Sequence, residues 1–418
     1  MSLTAPARPS SVSGLLRGTT GRLAALAGPV MLAIAVQSVA NLLFHSALGR
    51  SLPAADYGAL GAVLAAMTLV AVPLTALQTA AARLAADGGL TGSTARSALA
   101  RALRLLAPVA VLLVPAAGPL RDFMHLGSWW DAALLAPTLL VSGLLATARG
   151  LLLGTARSRT VAGTYVVSTT MRLGLGILLA APLGVTGALI GTVLGELAAL
   201  LLAVRAVWPT TVGTARRLAT GDLARTTAVV TGLFAFTTVD LFLARHHLAG
   251  DVSGAYVAAA TIGKTILALP AAAMSVAYPR LVAAWSARAG ERPALRSSLV
   301  VVGAPAMAGA LVVAIAPGLV LTLLYGDAFP AETGSLVRAL ALVAGASAVV
   351  SVLAHAAMAR RSRAALLPWA GAVVQVGAIS LWHSSALAVA MASAASLLVC
   401  MALLGLTEGR TWGSAHRR

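Results

Sequence analysis

Charge is what this chain has least of. Only 10% of its 418 residues are Asp, Glu, Lys or Arg, whereas soluble domains carry roughly a quarter. That excludes a water-exposed globule, because too little polar surface exists to coat one of this size. Cysteine is nearly absent: Cys400 stands alone, so no intrachain disulfide can form, and no Cys/His spacing suits a structural metal. No apolar run alternates with period two, which excludes a membrane β-barrel. No phosphate-cradling glycine loop, nucleophile elbow, catalytic carboxylate pair or metal cluster occurs. The expectation is a protein that is not an enzyme, without metal or cofactor, although coupling to H+ or Na+ remains open. Lysine is as scarce as cysteine. Of 30 basic residues 29 are Arg, and the single Lys264 lies inside an apolar stretch.

What the chain does have is hydrophobic length. Apolar residues make up 59% of it and the mean hydropathy is +0.92. A spanning helix needs about 20 apolar residues. Twelve such runs can be placed, centred near residues 33, 68, 110, 140, 171, 195, 235, 265, 310, 346, 373 and 394. The fold class is therefore an all-α polytopic membrane protein of about twelve transmembrane helices. The first run, Leu23–Leu43, contains Pro29, Gln37 and Asn41 and continues to Leu48. It reads as a retained helix rather than a signal peptide.

The net charge of +18 is a topology signal before it is a nucleic-acid signal. With the N-terminus inside, 24 arginines fall on inner segments and four on outer ones: Arg50, Arg121, Arg245 and Arg338. Such an excess marks the cytoplasmic side, so both termini are expected in the cytoplasm. No nucleic-acid partner is expected. Tyr57, Trp129, Trp130, Tyr325 and Trp382 outside, and Trp208, Tyr278 and Trp285 inside, read as an interfacial aromatic belt.

The chain also repeats itself. LGRSLPAADYGAL, Pro73 and Arg83 correspond to LARHHLAGDVSGAY, Pro270 and Arg280, with an offset drifting only from 195 to 197 residues. A period this long is a duplicated six-helix unit. An even number of helices per unit gives two parallel-related lobes, with a site expected between them near the midplane. The expected division is a cytoplasmic tail 1–22, an N-lobe 23–207, a cytoplasmic linker 208–225, a C-lobe 226–406 and a tail 407–418.

These matched segments carry a family resemblance. LGRSLPAADYGAL with LTALQTAAARLAA, VDLFLARHHLAGDVSGAYVAAATIGKTILALP with YPRL, and the later LYGDAF resemble polysaccharide-biosynthesis exporters. ARGLLLGTARSR leading to MRLGLGILLA and GVTGALIGTVLGE is similar to the same family's helices 4–6. These are the lipid-linked oligosaccharide flippases of the multidrug/oligosaccharidyl-lipid/polysaccharide exporter superfamily, and the likeness extends over about residues 23–405. The resemblance implies a twelve-helix, two-lobed flippase that passes polyprenyl-diphosphate-linked sugars outward through a central cavity. It implies a lipid-linked sugar substrate, membrane lipids, and polysaccharide polymerases or glycosyltransferases as partners. The lipid II flippase branch has two further helices and cavity arginines on its first helices. Here there are no such extra helices, and helix 1 carries Gln37 and Asn41. Rival readings are a cation-coupled drug or metabolite antiporter on the same scaffold, and a non-transporting partner in envelope polysaccharide assembly.

Ionisable side chains at membrane depth are costly and point to function. Arg172 and Glu196 lie at matching depth, about 16–18 Å into their helices at 1.5 Å per residue. They read either as a buried ion pair or as cavity residues, with Arg172 gripping diphosphate oxygens bidentately. Asp240 and Lys264 form a second such pair. A chain that uses Arg everywhere else yet keeps Lys264 suggests a need for a compact, easily released cation. Gln37, Asn41, Gln78 and Gln375 either line a sugar path or join helices by hydrogen bonds. Pro29, Pro73, Pro270 and Pro305 are candidate hinges. His355 reads as a packing residue.

Overall fold

The computed structural model describes residues 12–88, 90–208, 224–287 and 291–415. Most of the expected linker 208–225 lies outside them. Among the described residues every regular element is helical. The first half contains α1 (Val12–Ser51), α2 (Ala54–Ala71), α3 (Leu74–Gly88), α4 (Gly92–Phe123), α5 (Trp129–Ala133), α6 (Leu135–Gly154) and α7 (Ser158–Val207). The second contains α8 (Ala224–Phe236), α9 (Val239–His247), α10 (Gly250–Ile266), α11 (Ala268–Ser286), α12 (Glu291–Ser298), α13 (Ala304–Ile315) and α14 (Pro317–Tyr325). It ends with α15 (Thr333–Ala359), α16 (Leu367–Leu381) and α17 (Ala386–Ala415). Helix α1 starts at Val12, ahead of the expected start at Leu23.

Ten stretches among the described residues are long and apolar enough to cross a membrane. One of them, Ser158–Val207, is 50 residues long, about 75 Å if it were straight. It is not straight. Gly184 adopts φ 57° and ψ −134°, a conformation that L side chains rarely take, and the chain folds back there. Beyond the turn, small residues let the two limbs touch backbone to backbone. A Cβ on Gly191 would lie 2.4 Å from Gly176 Cα, and one on Gly195 2.7 Å from the Ser168 carbonyl. Glycines four apart are the usual device for such close approach in lipid, where no hydrophobic drive joins helices. The eighth expected run is the broken pair α10–α11, interrupted at Leu267.

Helix breaks recur at equivalent places. Pro73 lies in the turn between α2 and α3, and Pro270 sits just past the break between α10 and α11. Pro305 opens α13 directly after a π-helical turn, Leu299–Gly303, whereas Pro29 lies within the continuous α1.

The buried apolar residues divide unevenly along the membrane normal. At the arginine-poor end one core runs across both halves, joining Phe44, Leu48, Tyr57 and Met124 to Tyr256, Tyr325 and Leu336. Toward the arginine-rich end there are separate cores. One draws only on the first half, from Leu74 to Val207, and another only on the second, from Leu233 to Leu404. The halves are therefore sealed together at one end and independently packed at the other. Outward faces of α4, α13 and α16 expose Leu, Val and Ile, with Ile315 at 80%, as a lipid-facing surface requires.

Candidate functional site

Helix α1 and the two limbs of α7 enclose a polar cavity of about 50 Å³ in the first half, room for a few waters. Gln37 and Asn41 enter it from α1, Ser168, Thr169 and Arg172 from the first limb of α7, and Thr192 and Glu196 from the second. The pairs Gln37/Asn41, Ser168/Arg172 and Thr192/Glu196 are each four residues apart, so each shares one helix face. The close packing at Gly195 brings the Glu196 limb against Arg172.

The two charges in this cavity are not ion-paired. Among the described residues, no nitrogen of Arg172 lies within 4 Å of a Glu196 oxygen. The Arg172 guanidinium instead stacks over the Phe44 ring at 4.3 Å, a cation–π contact. Its Nε is buried without a hydrogen-bond partner. Glu196 accepts a hydrogen bond from the Ser142 hydroxyl on α6.

The second predicted pair behaves likewise. Asp240, buried on α9, accepts a hydrogen bond from the Tyr256 hydroxyl at 2.9 Å, while its Oδ1 has no partner. Lys264 on α10 is half-buried and within electrostatic range of Asp240. Among the described residues the two make no ion pair.

Between these cations lies a hydrogen-bonded chain that the sequence reading missed. His45 Nδ1 is 3.0 Å from the Tyr57 hydroxyl, which is 3.0 Å from the Tyr325 hydroxyl. All three side chains are buried, and His45 is within electrostatic range of both Arg172 and Lys264. Tyr57 and Tyr325 are therefore not belt residues. They are 0% and 1% exposed and join the two halves of the molecule. A signal was present: Gln37, Asn41 and His45 form a stripe with spacing four on helix 1.

Gln78 is not among the residues lining the α1/α7 cavity. It is half-buried on α3, and its carbonyl lies where a Cβ on Gly150 of α6 would be 2.2 Å away. Gln375 is buried with Oε1 unpartnered. His355 bonds the Ser351 carbonyl at 2.7 Å and packs edge-on to Tyr278, as a packing residue would.

No family model matches the chain, and no curated protein matches it in sequence. Solved structures do match its fold. An inward-facing multidrug resistance MATE family transporter of the MOP superfamily superposes with a TM-score of 0.70 at 17% identity, covering 91% of this chain and 95% of that one. The lipid II flippase MurJ, in an inward closed conformation, gives 0.69 at 11% identity over 90% and 87%. A MOP superfamily transporter from Pyrococcus furiosus, described as having a binding pocket of reverse polarity, gives 0.65 at 18% identity over 94% and 95%. This multi-pass membrane protein thus has the fold of MOP superfamily transporters.

Proposed function

We propose that the protein is a flippase that carries a polyprenyl-diphosphate-linked oligosaccharide or polysaccharide precursor outward across the bacterial plasma membrane by alternating access. The observation that carries this reading is Arg172. It is a half-buried guanidinium whose Nε is buried without a hydrogen-bond partner, lining a cavity with Gln37 and Asn41 and bonded to no carboxylate. A charge held at membrane depth without a protein counter-ion is suited to an anionic ligand, and guanidinium geometry matches phosphate oxygens. Lys264 supplies a second cation from the other lobe. Gln37 and Asn41 would accommodate sugar hydroxyls, and the lipid tail would remain in the bilayer between lobes. Separate cores at the arginine-rich end suit entry of the headgroup from the cytoplasm. There, basic loops favour anionic lipid headgroups, and polymerases or glycosyltransferases would be natural partners. The membrane potential, or H+ or Na+ acting at Glu196 or Asp240, would drive the cycle.

The test is reconstitution in liposomes holding a fluorescent polyprenyl-diphosphate sugar, scored by loss of signal to a membrane-impermeant reagent. Wild-type protein should expose the inner-leaflet pool, and Arg172→Ala and Lys264→Ala should not. Equal rates for wild type and both variants would overturn the reading.

One observation favours a second reading, a cation-coupled drug or metabolite antiporter. Glu196 shares the Arg172 cavity, and a carboxylate suits a cationic cargo. Uptake of a lipophilic cation that depends on Glu196 but not on Arg172 would establish it instead.

A further inference from the structure

The repeat-equivalent arginines Arg50 and Arg245 each end a helix at the arginine-poor face, and each reaches into the opposite half. Arg50 donates from Nε to the Leu324 carbonyl at 2.8 Å and from an NH2 group to the Leu323 carbonyl at 2.6 Å. Ser46, one turn earlier, also donates to Leu324. These carbonyls belong to the last turn of α14. Arg245 reciprocates on the other half. It donates to the carbonyls of Met124 (2.8 Å), His125 (2.7 Å) and Ala55 (3.1 Å), and to the Ser253 hydroxyl. His246 donates to the Phe123 carbonyl at 2.8 Å. Three successive carbonyls at the end of α4 are thus held by two successive residues of α9.

Both acceptors are the C-terminal ends of the third spanning segment of a repeat. The last carbonyls of a helix lack intrahelical partners and carry the negative end of its dipole. An arginine answers both needs, since its fork bridges adjacent oxygens and its charge opposes the dipole. The two sites differ in burial and in the number of acceptors. Arg245 is 7% exposed with four acceptors, whereas Arg50 lies open to the surface with two.

We infer that Arg50 and Arg245 form a reciprocal pair of latches that hold the two lobes shut at the arginine-poor face and must release before that face opens. Each latch joins a helix end of one lobe to a helix end of the other. They therefore bias the opening equilibrium, while the interior of each lobe is left intact. Arg245 is the stronger because water competes less for its acceptors. The inference rests on the alternating-access part of the proposed function and not on its substrate.

The test reads lobe spacing without substrate. Spin labels go at Trp130→Cys and Ser384→Cys in a Cys400→Ser background, with distances measured by pulsed electron resonance in nanodiscs. Wild type should show one short-distance population. Arg245→Ala should raise the longer-distance population about tenfold, as expected for a lost charged hydrogen-bond set. Arg50→Ala should raise it less, and the double variant most. Arg→Lys variants, which keep charge and fold but lose the bridging fork, should fall between. Unchanged distances in monodisperse Ala and Lys variants would overturn the inference. Neither result would bear on which substrate is carried.

Discussion

Gly254 of α10 meets Ala54 of α2 so closely that a Cβ added to Gly254 would lie 1.9 Å from the Ala54 carbonyl oxygen. The contact is reciprocal. A Cβ on Gly58 would lie 2.9 Å from the Gly254 nitrogen and 2.6 Å from Ser253 Oγ. Gly58 and Gly254 are the corresponding glycines of the two sequence repeats, so the halves touch through the same residue in each.

Gly254→Ala should therefore force α2 and α10 apart, costing about 1–3 kcal/mol as overpacking does. Gly163→Ala, where a Cβ would meet nothing within 4 Å, should instead stabilise by about 0.5–1 kcal/mol through helix propensity. Thermal unfolding of the detergent-purified variants measures both. A drop for Gly163→Ala equal to that for Gly254→Ala would show that the contact has no special weight.

Tyr57 stands between His45 and Tyr325. Tyr57→Phe keeps the ring packing but removes the shared hydroxyl, leaving two buried polar groups short of a partner. A loss of about 1–3 kcal/mol is expected. Tyr325→Phe in that background should add less than it does alone, because the two act as one network. Additive losses in a double-mutant cycle would refute the network.

Arg172 and Glu196 share a cavity without pairing. Breaking a buried ion pair typically costs about 3–5 kcal/mol. Here Arg172→Ala and Glu196→Gln should each leave unfolding within about 1 kcal/mol of wild type, since neither strands a bonded partner. Arg172→Ala should reduce lipid-linked sugar flipping at least about tenfold, as loss of a buried charged contact does. Large, matched stability losses in both variants would instead indicate a structural pair.

Lys264→Arg keeps the charge but not its shape. A planar guanidinium cannot replace a compact ammonium where contact and release both matter, so flipping should fall at least about tenfold at unchanged protein abundance. Full activity of Lys264→Arg would show that only charge matters there.

Much of the architecture was legible from composition and periodicity alone. Apolar runs of spanning length announce membrane helices because lipid admits no unsatisfied backbone. The repeat was visible because its Arg, Asp, Gly and Pro residues occupy helix ends and close contacts, where substitution choices are few. The polar stripe of helix 1 was read in part. Gln37 and Asn41 were picked out, but His45 lies two residues beyond the stretch taken as the helix interior, Leu23–Leu43. Tyr57 and Tyr325 were misassigned for a related reason. A tyrosine near a helix end looks the same in sequence whether it faces headgroups or the opposite lobe.

The sequence by itself determined that this chain is a multi-pass helical membrane protein, that segments of its two halves repeat one another, and which ionisable residues fall within apolar runs. Hydropathy and charge asymmetry are one-dimensional properties, summed along the chain, and need no partner to be read. Only the tertiary structure decided which of those charges meet. It separated Arg172 from Glu196 and Asp240 from Lys264, set a tyrosine bridge between the halves, and turned Arg50 and Arg245 from loop arginines into mutual helix caps. Those outcomes depend on which helix ends come within hydrogen-bonding reach across the seam, and distances between residues some 120 to 280 positions apart are created only by folding.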